Sequence, residues 1–215
     1  RNSFRWVEPR SLVDIDLLQT GHTYSTMEPA VRGVLERVAK ETRYPVLIGE
    51  VGYEGEYGTN WQDVQRFFFW TSMLSGSCGH TYGASGLWQF ITRTEKFVGH
   101  IEYSDQTPDE AMKLPGSRQL GISKAFLERY PWWTFDPVHE PDWDESARLS
   151  PFAARIPGQV WMICLCGDAF EDKFWGLKGK SITVDADYRA PSCSILETVG
   201  RPTWGESSLM KEDGG

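Results

Sequence analysis

The stretch that most constrains this chain is Pro45-Val46-Leu47-Ile48-Gly49-Glu50, followed directly by Val51-Gly52-Tyr53-Glu54-Gly55. A short apolar, β-branched run reads as a strand buried on both faces, as in parallel sheets, and it ends abruptly in a carboxylate and a glycine-loosened loop. Glu50 therefore stands at the carboxyl end of a strand. Barrels and open α/β sheets assemble their sites at that edge, which makes Glu50 a catalytic candidate before any relative is considered. The plain structural alternative is a strand-terminal Glu that caps or pairs with an arginine.

The strand-then-helix grammar repeats. Residues 12–18 read as a strand leading into Gln19-Thr20-Gly21-His22-Thr23-Tyr24, and residues 27–41 as a helix with Val31, Leu35 and Val38 on one face. Residues 61–74 have helical spacing with Phe67, Phe68 and Trp70 inward, ended by Gly76. Residues 77–84 form a short glycine-rich strand that would deliver His80 and Tyr82 to the same edge as Glu50. Helical sequence returns over 109–129, broken by Leu114-Pro115-Gly116, and three β-α units result.

From Pro131 the character changes. Pro131, Pro137, Pro141 and Pro151 punctuate a connector expected to be irregular. Beyond it, residues 159–166, 181–186 and 192–199 read as strands without helices between them, a small all-β domain. Asp213-Gly214 is a hairpin turn signal, so a returning strand would be expected to follow it. Two unequal domains, 1–145 and 146–215, fit a 215-residue chain with 40% hydrophobic content.

Composition removes other classes. The net charge is −8 with no basic stripe to neutralise phosphates, which argues against nucleic-acid binding. The longest apolar runs fall short of a membrane span. No Cys-x-x-Cys or His-rich cluster appears, so no structural metal is expected. Cys164 and Cys166 point to one face of a strand and do not readily bond each other, so buried free thiols are expected. The chain begins at Arg1 without a Met or an apolar leader, so any targeting segment is absent or lies beyond this sequence. Ten Trp, eight Tyr and eleven Phe suit flat sugar faces as well as cores.

Gln19-Thr20-Gly21-His22, Pro45 to Glu50 with Tyr53-Glu54-Gly55, Gly79-His80-Thr81-Tyr82-Gly83 with Gly86-Leu87-Trp88, and Leu114-Pro115-Gly116-Ser117 resemble, in that order, the apiosidase-like glycoside hydrolases. The resemblance covers about residues 6–140. The tail, with Ala153-Ala154-Arg155-Ile156-Pro157-Gly158, resembles the small β-sandwich labelled a collagen-binding domain in such proteins. The resemblance implies the C-terminal portion, strands six to eight, of a (β/α)8 TIM barrel followed by a small β-sandwich. It also implies cleavage of glycosidic bonds by two carboxylates, with Glu50 as nucleophile, no cofactor, and an extracytoplasmic or secreted location. Three units fall far short of the ~250 residues of a whole barrel, so the acid/base residue is expected outside this chain, which would be inactive alone.

The other edge residues have two readings each. Glu54 is separated from Glu50 by about 13 Å if extended, too far for a retaining pair, so it reads as a group that binds sugar hydroxyls or tunes Glu50, or else as a loop salt bridge with Arg66. His22 and His80 each follow a Gly and precede Thr-Tyr, and both are expected to hydrogen-bond sugar or Glu50, although a lone His is more often structural. Gln19 offers a neutral hydrogen-bonding group, Tyr82 a hydroxyl to orient the nucleophile, and Tyr53 and Trp88 flat faces for sugar. A non-catalytic carbohydrate-binding protein uses the same residues without a second carboxylate, and a structural module attached through the β-domain is a third class.

Overall fold

The computed structural model describes residues 3–22, 34, 38, 44–58, 60–87, 106–138, 152–166 and 193–198. Three strands, β1 (Asp16–Gln19), β2 (Val46–Glu50) and β3 (Gly79–His80), form a parallel sheet in the order β1-β2-β3. Val46 and Ile48 are buried on one face of β2, where with Leu18 and Val51 they meet Val64, Phe67 and Phe68 of the following helix. The strand expected over 12–18 begins only at Asp16. Arg10–Leu12 is instead a turn of 3-10 helix with Leu12 exposed, because β2 offers pairing partners only from Val46 onward.

Between Ile48 and Glu50 the register slips. Leu18 pairs with Ile48 and Gln19 with Glu50, leaving Gly49 as the extra residue of a β-bulge. A Cβ at Gly49 would lie 2.5 Å from the Leu17 side chain, so any larger residue there would have to displace Leu17. The bulge brings Glu50 level with Gln19 at the end of the sheet.

Among the described residues, four helices with defined bounds accompany these strands: α1 (Ser3–Trp6), α2 (Gln62–Leu74), α3 (Pro108–Ala111) and α4 (Gly116–Leu127). Every residue of α2 from Val64 to Leu74 is buried, because the helix is covered on two sides. Phe67 and Phe68 face the parallel sheet, whereas Phe69, Trp70, Met73 and Leu74 pack with Leu120 and Leu127 of α4 and with Ala154, Met162 and Cys164. Full burial of such side chains stabilises by about 1.5–3 kcal/mol each, which ties both sheets to one helix. Helix α3 opens with Pro108 at its first turn and a capping box in which Glu110 Oε2 accepts from Thr107 N–H (2.9 Å) and Thr107 Oγ1–H (2.8 Å). The break expected at 114–116 separates α3 from α4.

The second sheet is antiparallel, in the order β4 (Asp136–Val138), β5 (Phe152–Ile156), β6 (Val160–Cys166) and β7 (Cys193–Thr198). The stretch after Pro131 is thus not wholly irregular: Pro137 sits in β4, which among the described residues is an edge strand paired only with β5, where a missing N–H is tolerated. A turn at 157–159 with Gly158 at φ 72° joins β5 to β6. Among the described residues this is one sheet packed on a helix, without the second sheet that a sandwich requires. Cys164 is disulfide-bonded, against the expected free thiol, and Cys78 is free. Of the helix expected over 27–41 only Val34 and Val38 are described, both helical. The strand expected over 181–186 lies outside the described residues. No described helix is long and apolar enough to cross a membrane.

Candidate active site

Glu50 is the focus of a hydrogen-bonded cluster at the carboxyl end of β2. Its Oε1 accepts from Gln19 Nε2 at 2.6 Å, an adjacency created by the bulge, and lies 2.6 Å from His22 Nε2. The Tyr53 hydroxyl also hydrogen-bonds Glu50, and the Tyr53 ring meets the His22 ring edge-on with centroids 4.7 Å apart. Backbone fixes the same corner: Thr20 N–H and Oγ1–H both donate to the Glu50 carbonyl, at 3.0 and 3.2 Å. The Glu50 side chain keeps 26% of its surface exposed, so a ligand can reach it.

Burial and the nearby Glu50 and Glu56 charges push the Tyr53 hydroxyl well above the ordinary phenol range, so it remains a donor at any physiological pH. The contact with Glu56 raises the His22 pKa, against the lowering effect of burial and with further help from Glu50. Next to Glu50 opens a cleft of about 280 Å³ lined by Gly49, Val51, Tyr53, Thr81, Tyr82 and Leu87. Among the described residues that line it, Glu50 is the one carboxylate. Gly83 is needed for the Tyr53 wall, because a Cβ there would lie 2.2 Å from the Tyr53 ring.

Three sequence candidates sit elsewhere. Glu54 is fully buried and does not face the cleft. Its Oε2 accepts from Tyr82 O–H (2.6 Å) and Gly116 N–H (2.9 Å), and its Oε1 lies 3.1 Å from the same N–H. Burial raises the Glu54 pKa, opposed by those two donors and by Arg66. Rather than opening to the cleft as a sugar ligand, the carboxylate clasps the loops after β2 and β3 to the start of α4. Tyr82 accordingly turns its hydroxyl to Glu54 rather than Glu50, leaving only its ring for the cleft wall.

His80 likewise fails to join Glu50. It pairs in register with Ile48, whose side chain faces α2, and its ring packs edge-on against Phe69 with centroids 5.7 Å apart. Both ring nitrogens are shielded from solvent without a hydrogen-bond partner, and burial lowers its pKa to about 4. Trp88 lies outside the described residues. The residue that sequence reasoning missed is Glu56, whose Oε2 lies 2.9 Å from His22 Nδ1. Its signal was faint: an acidic residue in a loop where Gly55 and Gly58 both adopt positive φ.

His80 has a consequence for acid stability. The unfolded chain takes up the proton near 6.5 and the folded one only near 4, so stability falls as pH drops through that window, by about 3 kcal/mol from this residue. His80→Leu should leave urea stability at pH 7 unchanged or improved and should narrow the loss between pH 7 and pH 4 by that amount. An unaltered acid-side loss in the variant would contradict the placement.

The arrangement defines a class: an acid-centred cleft at the carboxyl ends of parallel strands, in a fold shared with glycoside hydrolases. A solved structure described as a glycoside hydrolase aligns with a TM-score of 0.64 at 22% identity, over 78% of this chain and 42% of its own. A glycoside hydrolase family 5 protein from Bacteroides vulgatus ATCC 8482 aligns with a TM-score of 0.62 at 23% identity, over 76% of this chain and 40% of its own. This chain thus spans about two fifths of the length of those structures. A family model described as the apiosidase-like catalytic domain matches residues 1–134, and the chain belongs to that family. The match does not extend to the tail, and the collagen-binding label gains nothing from it. A search of curated proteins found no match.

Proposed function

We propose that this chain carries the nucleophile side of a retaining glycosidase acting on a plant-type or other complex glycan, with Glu50 as the nucleophile. The observation that carries the reading is the partly exposed Glu50 carboxylate, pinned through Oε1 by Gln19 and His22 beside an aromatic-walled cleft. In the first step a Glu50 oxygen bonds to the anomeric carbon as the glycosidic C–O bond breaks, and an acid protonates the departing oxygen. In the second, water deprotonated by the same group displaces Glu50 and restores the carboxylate. Gln19, His22 and Tyr53 orient Glu50, and Gln19 and Tyr53 contact sugar hydroxyls. The acid/base carboxylate is supplied from outside this chain, a reading supported by the single described carboxylate at the cleft, and no cofactor takes part.

The parallel order β1-β2-β3 supports assignment to consecutive strands, six to eight, of a (β/α)8 barrel. Leu17, 41% exposed on the side where Gly49 meets it, would then point into the barrel. The disulfide at Cys164 supports an extracytoplasmic setting, where such bonds persist. Oligosaccharides titrated into the isotopically labelled chain should shift the resonances of Gln19, His22 and Tyr53, without turnover of aryl glycosides by these 215 residues. Saccharide-induced shifts confined to other surfaces would remove the cleft from the account, and turnover would place the acid/base within the chain.

A further inference from the structure

The loop after β2 is folded around Glu56. Glu56 N–H donates to Tyr53 O (3.2 Å), Asn60 N–H to Glu56 O (3.1 Å) and Gly55 N–H to Asn60 O (2.6 Å), while Tyr57 holds the left-handed φ of 54° that closes the turn. The result is a carboxylate 2% exposed, out of reach of anything bound in the cleft. Its Oε2 nevertheless accepts from Tyr53 N–H (3.0 Å) and faces His22 Nδ1 (2.9 Å), while Asn60 Nδ2–H holds the His22 carbonyl (3.0 Å). Across the imidazole, Nε2 lies 2.6 Å from Glu50 Oε1. A neutral ring has one N–H, so one of these contacts would set a bare ring nitrogen against a carboxylate. An imidazolium has two N–H groups and satisfies both.

We infer that Glu56 is a positioning residue for Glu50, acting through His22: its buried carboxylate fixes the imidazole ring and its second proton, so that Nε2–H is presented to Glu50 Oε1. The inference rests on Glu50 being the nucleophile. The groups around the ring are Glu50 from β2, Gln19 from β1, which shares Oε1, and Glu56 and Tyr53 from the loop. The raised His22 pKa agrees with this arrangement, and the Glu56 contact is its largest cause. Because the folded value lies above 6.5, the clasp is complete below that pH. It is lost as pH rises through the folded value, when one carboxylate loses its donor.

The test is a long-range ¹H–¹⁵N titration of the histidine rings in the full 215-residue chain, with His22 assigned from a His22→Gln spectrum. Both His22 nitrogens should be protonated at pH 6, with a midpoint above 6.5. Glu56→Gln should lower that midpoint by about one unit, tenfold in proton affinity, and Glu50→Gln by less. A wild-type midpoint at or below 6.5, or a single neutral tautomer at pH 6, overturns the inference even if Glu56→Gln does not fold. An unmoved midpoint in a folded Glu56→Gln overturns it too. The titration is independent of turnover: the expected midpoints with covalent labelling at a residue other than Glu50 would sustain the clasp and sink the nucleophile reading alone.

Discussion

In an active enzyme carrying this sequence, Glu50→Gln is expected to lower turnover by about 10⁴-fold or more while saccharide binding persists. The amide is nearly isosteric with the carboxylate and keeps an acceptor oxygen for Gln19 Nε2 and His22 Nε2, so the corner of the sheet is preserved. What it lacks is a charged oxygen able to bond to the anomeric carbon. The loss should therefore fall on kcat rather than on ligand affinity, measured as initial rates alongside calorimetric saccharide binding. Turnover within a few-fold of the parent would remove Glu50 from the chemistry.

The second large effect is on stability. Glu54→Ala should cost about 4 kcal/mol, because it strands the buried Gly116 N–H and the half-buried Tyr82 hydroxyl and leaves a cavity where a fully buried side chain stood. Glu54→Gln, which retains an acceptor oxygen and sheds the cost of burying a charge, should cost well under half of that. Gly116→Ala should resemble Glu54→Ala, since its Cβ would lie 2.2 Å from Glu54 Oε2. Urea unfolding of the three variants checks the order. If Glu54 were instead a sugar ligand, Glu54→Gln would lose saccharide affinity at undiminished stability.

Much of the candidate site was legible because its signals were local. The apolar run ending in Glu50 marked β2, and Gln19 and His22 follow directly on the neighbouring strand, so their convergence on Glu50 needed only the parallel pairing. Side-chain direction was less legible. Gly49 as a bulge decides which residue stands level with Gln19, and the pairing of His80 with Ile48 decides that its ring faces α2, yet neither is encoded in a spacing of glycines and histidines. Glu54 and Glu56 look alike in sequence, two acids in one loop. Their different partners, Gly116 far along the chain and His22 just beyond the end of β1, arise from tertiary packing. Pro137 misled for a related reason: a proline argues against a central strand but not against an edge.

The central claim is that Glu50 forms the covalent bond to sugar. The most direct measurement is mass spectrometry of an active enzyme carrying this sequence after treatment with 2-deoxy-2-fluoro glycosides bearing good leaving groups, which let the glycosyl-enzyme form but slow its hydrolysis. The account predicts one added sugar on the peptide containing Glu50, absent from Glu50→Gln. A sugar on a different carboxylate, or inversion of the anomeric centre during turnover with no adduct, would contradict it.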